Sequence, residues 1–194
     1  AVICGLFLLK EEGPFDLVVS GINAGENTSA HSILTSGTCA AAIEASFYDL
    51  PALAFSLDVD EKYIFQNSAN TANFQAAAAR ASKIAQATLK FTFPEKLACL
   101  NVNFPRNVSP TTPIKITYPV KVKYIDAPLE KEDPRGNRYY WLWGKELCAL
   151  PEGSDSKVVL IDREISISPL GYDLSLQGNE ITELLARLIK SLHE

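Results

Sequence analysis

The 194 residues are 47% hydrophobic and 21% charged, with 23 acidic against 18 basic side chains for a formal charge of −5. That balance suits one substantial core, with room for a smaller appended lobe, and it lacks the Lys/Arg clustering that would neutralise a nucleic-acid backbone. The longest strongly apolar runs, Cys39–Ala45 and Pro51–Leu57, fall far short of the ~20 residues that cross a bilayer, so neither a nucleic acid polymer nor a membrane is an expected partner.

"AVICGLFLLK" at residues 1–10 predicts a helix ended by the Gly13-Pro14 breaker, and Asp16–Ser20 predicts a short buried apolar strand. The stretch from Gly21 to Thr38 is dominated by small and polar residues and reads as a loop. Thr38–Tyr48 is alanine-rich and helical in propensity, and Pro51–Leu57 reads as a second buried strand. Asn70–Leu89 predicts a long helix with Phe74, Ala77, Ala78, Ala81, Ile84, Ala85 and Thr88 on one face, followed by a third strand over Leu97–Phe104. Strands alternating with helices predict an α/β fold, a parallel sheet covered by helices.

Near Pro105 the pattern changes. Ile114–Tyr118, Val120–Tyr124 and the run through Tyr139, Trp141 and Trp143 alternate with period two and read as antiparallel hairpin strands, with Asp133–Asn137 as a tight turn. Alternating aromatics of this kind pack on a sheet or a partner, or stack a base. A further pair of short strands is expected at Val158–Ile161 and Ile165–Ser168. Ile181, Leu184, Leu185, Leu188 and Leu192 form an apolar stripe at helical spacing, a C-terminal helix that must cover either its own subunit or a neighbour. Cys4, Cys39, Cys99 and Cys148 stand far apart among apolar neighbours, which predicts reduced, buried thiols and a cytoplasmic setting.

The chemistry is expected after the first strand. Open parallel sheets bind ligands beyond the carboxyl ends of their strands, where Gly21, Ile22 and Asn23 directly follow. An asparagine amide oxygen suits a hard divalent ion, and its NH2 can hold a phosphate oxygen. Asn23 and Asn27 can equally satisfy turn backbone groups. Ser36-Gly37-Thr38 opens the alanine-rich helix, where unpartnered N–H groups and the positive dipole end favour an anion; plain N-capping would use the same residues. Ser36 as a hydrolytic nucleophile lacks the strand-serine-helix elbow, and His31 lies in the loop.

The run "DLVVSGINAGEN", then "SGTCAAAIEASFYDLPALAFSLD", resembles the signature region of the SurE family of nucleotidases. "LNVNFP" from Leu100, "DPRGNRYYW" from Asp133, "GSD" from Gly153 and "ISISPL" from Ile165 resemble its later blocks, in the same order. The resemblance implies a metal-dependent 5'-nucleotidase, a phosphomonoesterase releasing phosphate from nucleoside 5'- and 3'-monophosphates. It implies a Rossmann-like domain over residues 1–112 and hairpin arms with a C-terminal helix over residues 113–194, the latter used to build a homodimer or homotetramer. Asn23 matches a ligand of the family's divalent ion, Mg2+ or Mn2+, and Asn27, Ser36, Gly37 and Thr38 match phosphate-contacting positions. One departure stands out: the family opens with a strand ending in paired aspartates and a later R-S-G-type serine, and no two aspartates are adjacent here. With Ala1 inside a helical pattern and no methionine in the chain, an upstream segment is expected to supply them. The alternative is a non-catalytic phosphate- or nucleotide-binding module that has lost the catalytic aspartates.

Overall fold

The computed structural model describes residues 1–60, 71–146, 149–176 and 178–192. Its centre is a mixed, mostly parallel sheet of strands β1 (Val18–Ala24), β2 (Ala52–Leu57), β3 (Cys99–Phe104), β4 (Ile114–Ile116) and β7 (Ile165–Leu170), in spatial order β1-β2-β3-β7-β4. β1, β2 and β3 run parallel; β7 returns antiparallel to β3, and β4 lies parallel to β7. Strands β5 (Tyr124–Glu132) and β6 (Arg138–Glu146) form a separate antiparallel hairpin. The helices are α1 (Val2–Leu8), α2 (Ala30–Thr35), α3 (Gly37–Ser46), α4 (Thr71–Thr88), α5 (Asp155–Leu160) and α6 (Asn179–Ser191), with a single 3-10 turn at Lys10–Glu12.

The alternation of side chains along β2 decides what each sheet face holds. Leu53, Phe55 and Leu57 join Val102, Phe104 and Ile165 under Ala77 and Ala81 of α4. The rings of Phe55 and Phe104 stack with centroids 5.8 Å apart. On the other face Ala52, Ala54 and Cys99 meet Cys39, Ala42 and Ala45 of α3. Small residues from both sides bring that helix close to the sheet.

Several expectations are corrected. The first strand continues through Gly21, Ile22 and Asn23 instead of ending at Ser20, and as an edge strand it is only half covered, with Val19 exposed. The loop before Ser36 contains α2, a six-residue helix with Ser29 as its N-cap, too short to show a periodic signal. Ile114–Ile116 joins the main sheet, and the hairpin is β5–β6; period two marks a strand without naming its partner. Val158–Ile161 is helical or helix-capping, because Ser154 caps α5 by accepting the Lys157 N–H. Ala78 faces outward on α4. Cys39 and Cys99 are buried free thiols, whereas Cys4 is exposed; Cys148 lies outside the described residues. Burial pushes the Cys99 thiol up to about 12. The stripe on α6 is exposed, Leu184 by 56% and Leu192 by 73%, so none of the described residues covers it.

Candidate anion site at the strand ends

A bulge builds the site. Ser20 pairs with Ala54 and Asn23 with Ser56, so three steps along β1 match two along β2. The extra residue reverses the inside-outside parity of the rest of the strand and turns Asn23 to the face carrying Ala52 and Ala54, the face covered by α3. Gly21 makes this possible. Its φ is +110°, and a Cβ there would lie 2.2 Å from the Phe55 carbonyl oxygen.

Beyond the bulge the chain folds over the strand ends. Asn23 Nδ2 donates to the Gly25 carbonyl at 2.7 Å, which turns the amide so that Oδ1 is not used in that bond. Gly25 N–H donates to the Leu57 carbonyl at 2.9 Å. Asn27 is buried, its N–H donating to Asn103 Oδ1 at 2.7 Å and its Nδ2 to Ser56 Oγ at 2.8 Å, while its carbonyl accepts Asn101 Nδ2 at 2.9 Å. Asn27 therefore anchors the loop from beneath through its amide NH2. Ser56, Asn101 and Asn103 are wholly buried and share the α3 face, where the strands turn from alanine and cysteine to polar residues as they approach the site. Alternate asparagines in an otherwise apolar strand, visible in "LNVNF", are the signal by which this polar layer could have been found.

The second segment is the start of α3. A helix linking two parallel strands runs against them, so its N-terminus lies at their carboxyl ends, the same end as Asn23 and Asn27. Ser36 is the N-cap, its Oγ accepting the Cys39 N–H at 3.1 Å. That bond uses an acceptor lone pair and leaves the hydroxyl hydrogen able to donate. Among the described residues the N–H groups of Gly37 and Thr38 have no protein acceptor. Capping and anion binding are thus compatible here: Ser36 shapes the turn, and the next two amides stay open at the positive end of the dipole.

Two further groups hold the surrounding loops, and Asp155, the last residue of the GSD block, reads from the sequence as turn chemistry. Asp155, the first residue of α5, is fully buried; burial pushes its carboxyl above the ordinary value, and the N–H groups of Ser29, Val120 and Ser156 pull it back. Asp58, just past β2, accepts from Arg106 at 3.1 Å and Arg163 at 2.9 Å, tying together the loops after β3 and α5. At the opposite end of the strands a cavity of about 480 Å3 opens between Ser46, Asp49, Pro51, Phe91, Phe93 and Tyr172; it touches none of the predicted site residues. None of the described helices is long and apolar enough to cross a membrane.

Comparisons with known proteins bear on this arrangement. The family model described as Survival protein SurE matches residues 1–126. A 5'-nucleotidase SurE of Thermococcus kodakarensis is 38% identical over 174 residues, 90% of this chain and 66% of that protein. A 5'-nucleotidase SurE of Methanocella arvoryzae is 38% identical over 191 residues, 98% of this chain and 71% of the relative. The crystal structure of the SurE protein from Aquifex aeolicus superposes with a TM-score of 0.74 at 31% identity, covering 100% of this chain and 71% of that one. The chain thus spans about two thirds of the length of the relatives it matches. On the family-model match over residues 1–126, a span that includes the bulged strand, the capped helix and the asparagine-bearing third strand, and on 38% identity to these relatives, the chain belongs to the survival protein SurE family.

Proposed function

We propose that the protein is a 5'-nucleotidase that hydrolyses nucleoside 5'-monophosphates, and 3'-monophosphates, to nucleoside and phosphate. The observation that carries this reading is the conjunction at one end of the sheet of a bulge-displayed Asn23 and the open first-turn amides of Gly37 and Thr38, in a chain 38% identical to 5'-nucleotidases. In this reading the Gly37 and Thr38 amides and the Ser36 and Thr38 hydroxyls hold the phosphoryl oxygens. Asn27 fixes the loop from below. Because these donors are set by a helix start and a bulge, they need not reorganise as charge develops on the transferring group.

The divalent ion that the family implies is not fitted by these residues on their own. Asn23 can offer Mg2+ or Mn2+ one neutral oxygen, but among the described residues no group of three or more His, Cys, Asp or Glu side chains stands together, and hard cations of this kind want anionic oxygens. What this chain contributes is anion binding and orientation of the ester.

The test is release of inorganic phosphate by the full-length protein from a panel of 5'- and 3'-nucleoside monophosphates, with Mg2+, with Mn2+ and with chelator. Release from at least one 5'-monophosphate is expected. No release from any would refute the nucleotidase reading, and phosphate binding without release would instead fit a module that binds and does not cleave.

The same reading assigns assembly to residues 113–194. The β5–β6 hairpin exposes Leu129, Tyr139, Tyr140 and Trp141, and α6 exposes Leu184, Leu185, Leu188 and Ile189, an amphipathic face suited to a second copy in a homodimer or homotetramer. Removing residues 181–194 is expected to lower the particle mass measured by light scattering. An unchanged mass would place the oligomer contact elsewhere.

A further inference from the structure

The loop between β1 and α3 is held from outside by a part of the chain more than a hundred residues away. Asp155 Oδ2 accepts the Ser29 N–H at 2.7 Å. Oδ1 accepts the Ser156 N–H at 2.7 Å, the Val120 N–H at 3.2 Å and the Ser156 hydroxyl at 3.3 Å. Every partner is a donor, which is what an ionised, acceptor-only carboxylate requires.

The residue it grips is unusual. Ser29 has φ +74°, a left-handed backbone that a serine holds only when its surroundings impose it, and it is also the N-cap of α2, its Oγ accepting the Ser32 N–H at 3.3 Å. α2 ends at Thr35 and runs without a spacer into Ser36, the cap of α3. On its other side Ser29 follows Asn27 by two residues. The Ser29 backbone is therefore the joint between the Asn23–Asn27 segment and the Ser36-Gly37-Thr38 segment.

A second strut runs parallel. Lys123 is buried; its Nζ pairs with the Glu26 carboxylate and donates to the Glu26 carbonyl at 3.3 Å and to Thr28 Oγ1 at 3.4 Å. Between the struts, Ala30 N–H donates to the Val120 carbonyl at 2.7 Å and His31 N–H to the Lys121 carbonyl at 3.2 Å. Residues 120–123 thus form a strap along the loop, and Asp155 holds the strap and the loop with one carboxylate.

We infer that Asp155 is a positioning residue of the anion site, pinning through Ser29 the joint that sets both phosphate-facing segments, with the Lys123–Glu26 pair as its companion. This inference rests on the nucleotidase reading. Asp155 touches no substrate. Its effect passes through the backbone of the loop, so it should alter anion affinity more than a comparable lesion elsewhere does.

The experiment uses the full-length protein, inorganic phosphate as a competitive inhibitor, and a nucleoside 5'-monophosphate as substrate. Asp155→Asn puts an NH2 against one of the N–H donors. It is expected to raise the phosphate inhibition constant at least tenfold and to lower kcat/KM about 100-fold. The comparison variant is Arg80→Met on α4, across the sheet from the site, which removes two bonds, at 2.8 and 3.0 Å, from Arg80 to the Pro110 and Thr112 carbonyls. It should lower Tm and leave the inhibition constant unchanged. Should Asp155→Asn fail to fold, Glu26→Gln combined with Lys123→Gln loosens the same loop without stranding a charge, and a several-fold rise in the constant is expected. If the folded variants lose Tm but keep wild-type inhibition and kcat/KM, the positioning role is refuted. If wild type neither binds nor releases phosphate, the nucleotidase reading fails first, and this inference with it.

Discussion

Gly21→Ala is expected to be the most damaging glycine-to-alanine change among the described residues. Its Cβ would meet the Phe55 carbonyl oxygen at 2.2 Å, and that oxygen belongs to the backbone of the wholly buried strand β2, which has no free rotation to yield. The φ of +110° adds a conformational cost of its own. Together these should cost about 3 kcal/mol or more, a fall in Tm of roughly 6–12 °C for a chain of this size. The structural consequence exceeds the energetic one. Without the bulge, residues after Ser20 fall back to regular alternation, and Asn23 turns to the face of α4, away from the open amides of α3. Phosphate release should be lost even at temperatures where the variant is folded. Thermal unfolding by circular dichroism and a phosphate-release assay check both parts, and a variant melting within ~2 °C of wild type with normal release would show that the bulge does not depend on glycine.

Asn23→Ala should separate chemistry from stability. The side chain makes one strong bond, to the Gly25 carbonyl at 2.7 Å, so its loss costs about 1 kcal/mol of folding free energy. In the proposed reading Asn23 offers its amide oxygen to the divalent ion beside the ester, and its removal is expected to cost far more in rate, about 100-fold or beyond. Asn23→Asp is informative because it keeps an oxygen and loses the donor: a carboxylate oxygen then faces the Gly25 carbonyl, the side chain swings away, and activity should remain well below wild type. Full release of phosphate by Asn23→Ala would remove Asn23 from the site.

What the sequence made legible divides along the range of the interactions involved. β2, β3, α3 and α4 were readable because continuous apolar runs, alanine propensity and a repeating inward face are local properties. α2 was not, since six residues capped by a serine in a left-handed conformation carry no periodicity. The pairing of β4 with β7 and the helix at α5 were missed for a related reason: a short apolar stretch is compatible with either state until its cap and neighbours are known. In the candidate site, Asn23, Asn27 and Ser36-Gly37-Thr38 are marked by their place after the first strand and at a helix start. The groups that hold them are not, because Asn27 meets Asn103 across 76 positions and Ser29 meets Asp155 across 126. Propensity has no view of such distances. The resemblance to a family placed those blocks in order without saying that they touch.

The alanine seam between α3 and β2 carries one more implication. Ala42 and Ala45 against Ala52 and Ala54 are side chains without rotamers, so this contact cannot absorb a displacement by reshuffling torsions as a leucine-rich contact would. Any push delivered to the far end of α3 must move the helix as a rigid lever, and its opening turn would travel with it. In the proposed reading, the turn that offers the Gly37 and Thr38 amides would therefore keep its own shape and shift only with the whole helix.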